Sequence, residues 1–317
     1  MKVLNKKNII TLIIVSVIYA VVQALLASGI ISSFYEITIA TICINIILAV
    51  SLNLVTGFTG QFSLGHAGFM SIGAYACALI NLKMNSTAGF LVGIAAGAGA
   101  AALVGILIGI PTLRLKGDYL AIATLGMAEI IRVIFLNMDD ITNGAAGLNG
   151  IPRFTSWLWL FVFTVFTLVI INNFVKSSQG RACISIREDE IAAESMGINT
   201  TKYKVMAFAI GAFFAGIGGA LYSSYFYFIS PTIFGFQKSI DILVIVVFGG
   251  MGSITGSVIA AILLAVITTM LQSYSELRMI IYAALLIAIM IFRPQGLMGT
   301  KEVTDLFKFR RKDAKVE

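Results

Sequence analysis

Long apolar runs separated by short polar gaps set the pattern of this chain. A membrane-crossing helix takes about 20 mostly apolar residues. Ten runs read as spans: 9–28, 36–55, 66–82, 88–110, 119–137, 156–175, 204–228, 239–250, 254–272 and 279–292. The eighth is too short to cross alone, so it must borrow from its flanks or be broken. The pattern predicts an all-α, polytopic membrane protein of about ten helices. Eight or nine stay open, because the uncharged loops 56–65 and 250–256 are not fixed by charge.

One stretch interrupts the apolar pattern. Residues 176–204, KSSQGRACISIREDEIAAESMGINTTKYK, hold nine charged side chains between two spans. An uncovered charge near mid-bilayer costs at least about 2.5–3.5 kcal/mol, so this island must lie in water or against protein. Only 12% of the chain is charged and 59% is hydrophobic, whereas soluble domains carry roughly 25% charged residues. Residues 1–300 therefore read as a single membrane domain with loop 176–204, and 301–317 as a short tail. The N-terminal run resembles a signal peptide but is too long for one, so an uncleaved first helix is expected.

The net charge of +7 gains its meaning from placement. With ten spans, 17 of the 22 Lys and Arg fall on the side of the termini and the island. That bias predicts cytoplasmic termini and a cytoplasmic island. A nucleic-acid partner is not expected.

Small residues predict how the bundle packs. Gly89, Gly93, Gly97, Ala101, Gly105 and Gly109 recur every fourth position, and Gly211, Ala215 and Gly219 form a second stripe. Lipid tails give helices no hydrophobic drive to associate, so close backbone approach must supply it. Cys43, Cys77 and Cys183 show no metal spacing and read as small packing residues.

Two glycine-rich stretches are candidates for helix breaks. Thr56–Phe69, TGFTGQFSLGHAGF, carries Gln61, Ser63, Gly65 and the single histidine, His66. Irregular backbone at membrane depth survives where protein covers it or a water-filled cavity faces it, and transporters build substrate paths from such stretches. An ordinary turn is the other reading, and His66 alone reads as a structural, hydrogen-bonded residue. Phe248–Gly256, FGGMGSITG, offers Gly250, Gly252 and Ser253 as a second break with a paired role. Its glycine spacing departs from a dinucleotide fingerprint and no βαβ unit surrounds it. Glu129 and Arg132 share one face of the fifth span; a packing ion pair and a gate or path role both stay open.

Within the island, Ser185-Ile-Arg-Glu188 has the form of a capping box and Gly197 that of a C-terminal stop. A helix of about ten residues, Ile186 to Met196, is predicted between them. Such a helix is too short to be stable alone in water and must pack on something. Its acidic centre argues against lying flat on lipid and for a protein partner. Ala192 and Ala193 would allow close approach, with Ile191 and Met196 adding apolar contact.

At these residues the chain resembles a family. EIAAESMGI resembles the EAA loop of ABC importer permeases. The whole chain after the first helix is similar to LivM-type permeases of branched-chain amino acid importers. The motifs in order are SLGHAGFMSIGAY (63–75), RLKGDYLAIATLG (114–126), ITNGAAGLNGIP (141–152), SIREDEIAAESMGIN (185–199), FGGMGSITG (248–256) and RPQGL (293–297). Ile191 stands where the general EAA pattern has Glu, with Glu190 one residue earlier, and the hydrophobic-Pro ending is absent.

The resemblance implies a permease subunit that itself performs no chemistry. It implies a second, LivH-like permease, two cytoplasmic ATPase subunits and an extracytoplasmic binding protein in a bacterial-type plasma membrane. ATP and Mg would sit on the ATPases, and no cofactor or metal on this chain, which has no GxxxxGK[ST] loop. Arg187, Glu190, Ala192, Ala193, Met196 and Gly197 would form the coupling loop. Gln61, Ser63, Gly65, His66, Glu129, Arg132, Gly250, Gly252 and Ser253 are the path or gate candidates. The implied substrates are leucine, isoleucine, valine or relatives; urea, short amides or another small solute is the rival within the class. An autonomous secondary transporter is the rival outside it.

Overall fold

A computed structural model describes residues 32–271 continuously, with 16, 17, 19–26, 28, 284, 287, 291, 295–299 and 302. The start of the first predicted span, most of the last one, Arg278 and most of the tail lie outside the described residues. The elements are helical, joined by one two-residue pairing. Helix α1 (Ser33–Asn53) runs into a π-helical turn (Leu54–Phe58), followed by α2 (His66–Met84), α3 (Thr87–Thr112), α4 (Asp118–Asn137) and a short α5 (Asp139–Thr142). Then come β1 (Leu148–Asn149), α6 (Trp157–Lys176), α7 (Ser178–Glu188), α8 (Glu190–Ser195), α9 (Thr200–Phe226) and β2 (Phe228–Ile229). A 3-10 turn (Pro231–Phe234) leads to α10 (Phe236–Gly249) and α11 (Ile254–Met270).

Among the described residues, six helices are long and apolar enough to cross a membrane: Phe34–Phe58, His66–Met84, Thr87–Thr112, Asp118–Asn137, Trp157–Lys176 and Thr200–Phe226. They match six predicted spans to within a few residues. Ile254–Met270 is apolar but shorter. The short eighth run is a helix of 14 residues, α10, that stops at Gly250 before α11 begins.

Helix α9 is the centre, packed on α2, α3 and α1, while α11 packs on α1 and α10. The predicted stripes make most of these contacts, and Gly73 and Gly216, outside the stripes, add another. A Cβ on Gly73 would collide with the Gly216 backbone, one on Gly97 would lie 2.8 Å from Gly73 O, and one on Gly105 would lie 2.7 Å from the Ala212 Cβ. Gly219 backs onto the Met70 carbonyl, and Gly211 onto Val55 and Ser51. The three cysteines are buried and free. Outward-facing Leu103, Leu107, Tyr119 and Ile122 are exposed, as expected of faces that meet lipid or another subunit.

Far from the island, β1 pairs antiparallel with β2, Leu148 opposite Ile229 and Asn149 opposite Phe228. This ties the loop after α4 to the loop after α9. Arg153 reinforces that end, with Nη2 on Glu36 Oε1 at 2.6 Å and its guanidinium 4.7 Å from the Tyr225 ring centre.

Candidate functional site

The two glycine-rich stretches, about 190 residues apart in sequence, meet face to face. Asn53, in the last turn of α1, bridges them. Its Oδ1 accepts from Gly252 N at 2.9 Å, and its Nδ2 donates to Ser253 O at 2.9 Å and Ser257 Oγ at 2.8 Å. All four groups are buried, so each bond stands in for water the site excludes. Gly57 lies against Gly252 so closely that a Cβ on Gly57 would collide with Gly252 N. Gly250 (φ +112°) and Gly252 (φ +92°) take backbone angles that only glycine adopts without strain. Ser253 then caps α11, accepting from Gly256 N at 3.0 Å.

A third segment joins this junction. Leu297 N and Met298 N donate to Phe248 O and Gly249 O at 2.9 and 3.1 Å. Glu302 accepts from Ile254 N at 2.7 Å and Thr255 N at 3.2 Å, placing a carboxylate at the start of α11, where the helix dipole favours it.

The remaining residues of the first stretch line the same region. Gln61, Ser63 and His66 are buried. The Gln61 backbone N–H reaches Val55 O at 3.0 Å, while its side-chain amide has no partner among the described residues. Ser63 Oγ accepts from Gly65 N at 3.3 Å. Gly65 lets the chain pass α4, since a Cβ there would lie 2.8 Å from Thr124 O. His66 Nε2 is 2.8 Å from Ser51 Oγ, which itself donates to Leu48 O at 3.0 Å. Both bonds hold together when Nε2 is the donor, which fits the structural role expected of His66.

Glu129 and Arg132 form an ion pair, Nε to Oε2, at 2.6 Å. The pair has a further partner that its spacing did not reveal. Glu129 Oε1 accepts from Phe236 N at 3.1 Å and so holds the start of α10. These two residues therefore sit apart from the glycine junction, at the opposite end of the same short helix.

The island differs from the predicted single helix. Its first half is α7, capped by Ser177, whose Oγ accepts from Gly180 N at 3.1 Å. Ser185 lies inside α7 and donates to Ala182 O at 2.8 Å, so it caps nothing. The break falls at Asp189, whose Oδ1 accepts from Ile191 N at 2.9 Å and Ala192 N at 3.0 Å. Asp caps as well as Ser, and Gly180, Cys183 and Ile186 bury one face of α7 up to Glu188. The helix beyond is six residues, Glu190–Ser195. It ends as expected at Gly197 (φ +82°), with Gly197 N on Glu194 O at 2.9 Å and Ile198 N on Ala193 O at 3.1 Å, a Schellman closure.

The coupling-loop residues divide into an inner and an outer set. Glu190 faces the bundle, where Lys204 Nζ of α9 lies 2.6 Å from Oε1 and Lys116 Nζ 3.5 Å from Oε2. Partial burial alone would raise its pKa, but the two lysines outweigh burial and hold the carboxyl below its ordinary range. Arg187 also turns inward, its Nη1 donating to Gly57 O at 2.9 Å. Ala193 is buried. Ile191, at 74% exposure, and Met196, at 84%, point away from the chain with Ala192 and Gly197. Lys204, Lys116 and Asn53 were not singled out from sequence. A lone polar residue in an apolar run gives no sign of a partner so far along the chain.

The role of Glu190 is testable. Glu190→Gln leaves the buried Lys204 ammonium without its charged partner, at a local cost of about 1–3 kcal/mol. Amides 190–196 should then exchange faster, and unchanged protection would refute the strut. The wild-type contribution is complete above the ordinary carboxylate pKa and fades as pH falls through the lowered value. Protection should therefore hold at neutral pH and weaken only in acid.

Residues 34–290 match the family model described as branched-chain amino acid transport system / permease component. The chain is 38% identical over 298 residues to the high-affinity branched-chain amino acid transport system permease protein LivM of Salmonella typhimurium, covering 83% of this chain and 70% of that one. The Escherichia coli K12 LivM is 38% identical over 311 residues, covering 83% and 69%. The Salmonella typhimurium permease LivH is 26% identical over 288 residues, covering 81% and 92%. No solved structure matches.

Proposed function

The chain belongs to the branched-chain amino acid transport permease family and is a multi-pass membrane protein, and from that premise we propose that it is the membrane subunit of an ATP-driven importer. Its substrates are leucine, isoleucine, valine or related amino acids. Separate ATPase subunits hydrolyse ATP on the face bearing the island, and a binding protein delivers substrate at the other end. A second, LivH-like permease completes the path. Support for that partner comes from LivH, which resembles this chain over almost its whole length. With about ten spans in one membrane domain, the charge bias supports cytoplasmic termini.

The observation that carries this reading is the outer face of α8. A six-residue helix cannot persist alone. Asp189, Glu190 and the Gly197 closure nonetheless fix it, while Ile191 and Met196 are left unburied. Apolar anchors on a braced, charge-flanked helix suit a groove on a soluble partner. The Glu129 carboxylate is already engaged by Arg132 and Phe236 N, which weighs against its serving as a coupling-ion site. Path residues are drawn from the glycine junction, where Gln61 has an amide with no partner among the described residues.

Reconstitution tests the reading. With both permeases, the ATPases and binding protein in liposomes, uptake of leucine should require ATP. Gradient-driven uptake by this chain alone, without any ATPase, would refute it.

A further inference from the structure

Arg187 reaches from the island into the helix junction. Its guanidinium Nη1 donates to Gly57 O at 2.9 Å, and a Cβ placed on Gly252 would lie 2.9 Å from the same nitrogen. A Cβ on Gly60 would lie 2.9 Å from Arg187 Cγ. One side chain from α7 thus passes Gly60 and ends between the two breaks.

The end of the first break explains why an arginine is held there. Where α1 gives way to the π turn, the last carbonyls lose their ladder partners. Thr59 Oγ1 covers Leu54 O at 2.9 Å, Gln61 N covers Val55 O at 3.0 Å, and Arg187 covers Gly57 O. A cation at a helix C-terminus also meets the negative end of its dipole. The remaining guanidinium nitrogens hold Glu188, with Nε 3.0 Å from Oε1, so the charge is balanced and the side chain is fixed along its length. On the far side, Asn53 locks Gly252 and Ser253 to α1. Any shift of α7 therefore pulls on both breaks at once.

We propose that Arg187 is a positioning residue that ties the helix pair α7–α8 to the Gly57–Gly252 junction, so that movement of the docking helix is converted into movement of both breaks together. This rests on the importer reading and adds to it the residue through which the motion passes.

The test uses the whole importer in liposomes, comparing wild type with Arg187→Gln and Arg187→Lys. Losing a charge-assisted bond at the junction should cut substrate moved per ATP hydrolysed by about tenfold in Arg187→Gln. Arg187→Lys, which keeps the charge but not the fork, should fall between. Spin labels at Phe62 and Met251, both exposed, should change distance on nucleotide addition in wild type. In Arg187→Gln that change should vanish while hydrolysis continues. A variant that assembles poorly yet keeps the wild-type ratio per assembled complex would overturn the proposal, as would an unaltered distance change. If the unmodified complex shows no ATP-dependent uptake, the importer reading falls and this inference with it.

Discussion

Replacing Ile191 and Met196 together with glutamate is expected to lower ATP-driven uptake by at least about a hundredfold, because buried apolar anchors dominate the energy of small interfaces. Both side chains are exposed in the isolated chain, so the double variant should insert and fold like wild type. The deficit should appear as failure to retain the ATPase subunits on purification. Two charges forced into an apolar groove carry a desolvation penalty that rim substitutions do not. Ser195→Glu, on the same short helix, tests whether charge alone is responsible. Wild-type uptake by the double variant would show that the outer face of α8 is not the docking surface.

The second large effect lies in the bundle. Gly219→Ala should cost about 3 kcal/mol or more, because its added methyl meets the backbone of Met70 and Ala74 rather than a side chain that can turn aside. Helix α9 would have to move off α2, and α9 is the element on which α1, α2 and α3 all pack. Gly99→Ala makes the same chemical change where nothing lies within 4 Å. It should be neutral or slightly stabilising, since alanine is the better helix former. Thermal unfolding of the two variants in one detergent checks the contrast. Equal midpoints would mean that the α2–α9 contact contributes little.

Apolar runs and small-residue stripes are legible because each is written locally. Lipid demands an unbroken apolar length, and close helix contact demands glycine or alanine at every fourth position. The short run before Gly250 left open a helix that borrows from its flank or one that is broken, and α10 does both, starting at Phe236 and stopping at Gly250. The internal order of the island was harder to read. Ser185 and Asp189 both carry capping chemistry, and only the packing of Gly180, Cys183 and Ile186 decides that the helix runs on to Glu188. The junction was legible in its glycines and hidden in its partners. Asn53 sits in an apolar run and looks like any tolerated polar residue, yet it bonds groups about 200 positions away. Glu190, displaced by one from the expected EAA glutamate, gained its role only when Lys204 and Lys116 were seen beside it.

The most direct measurement places a photo-crosslinking side chain at Met196 in the assembled importer, with a second at Leu107 on the outer face of α3 as control. A docking helix predicts that the Met196 probe captures an ATPase subunit and that the Leu107 probe does not. Complexes that take up substrate with ATP yet give no ATPase adduct from Met196 would contradict it.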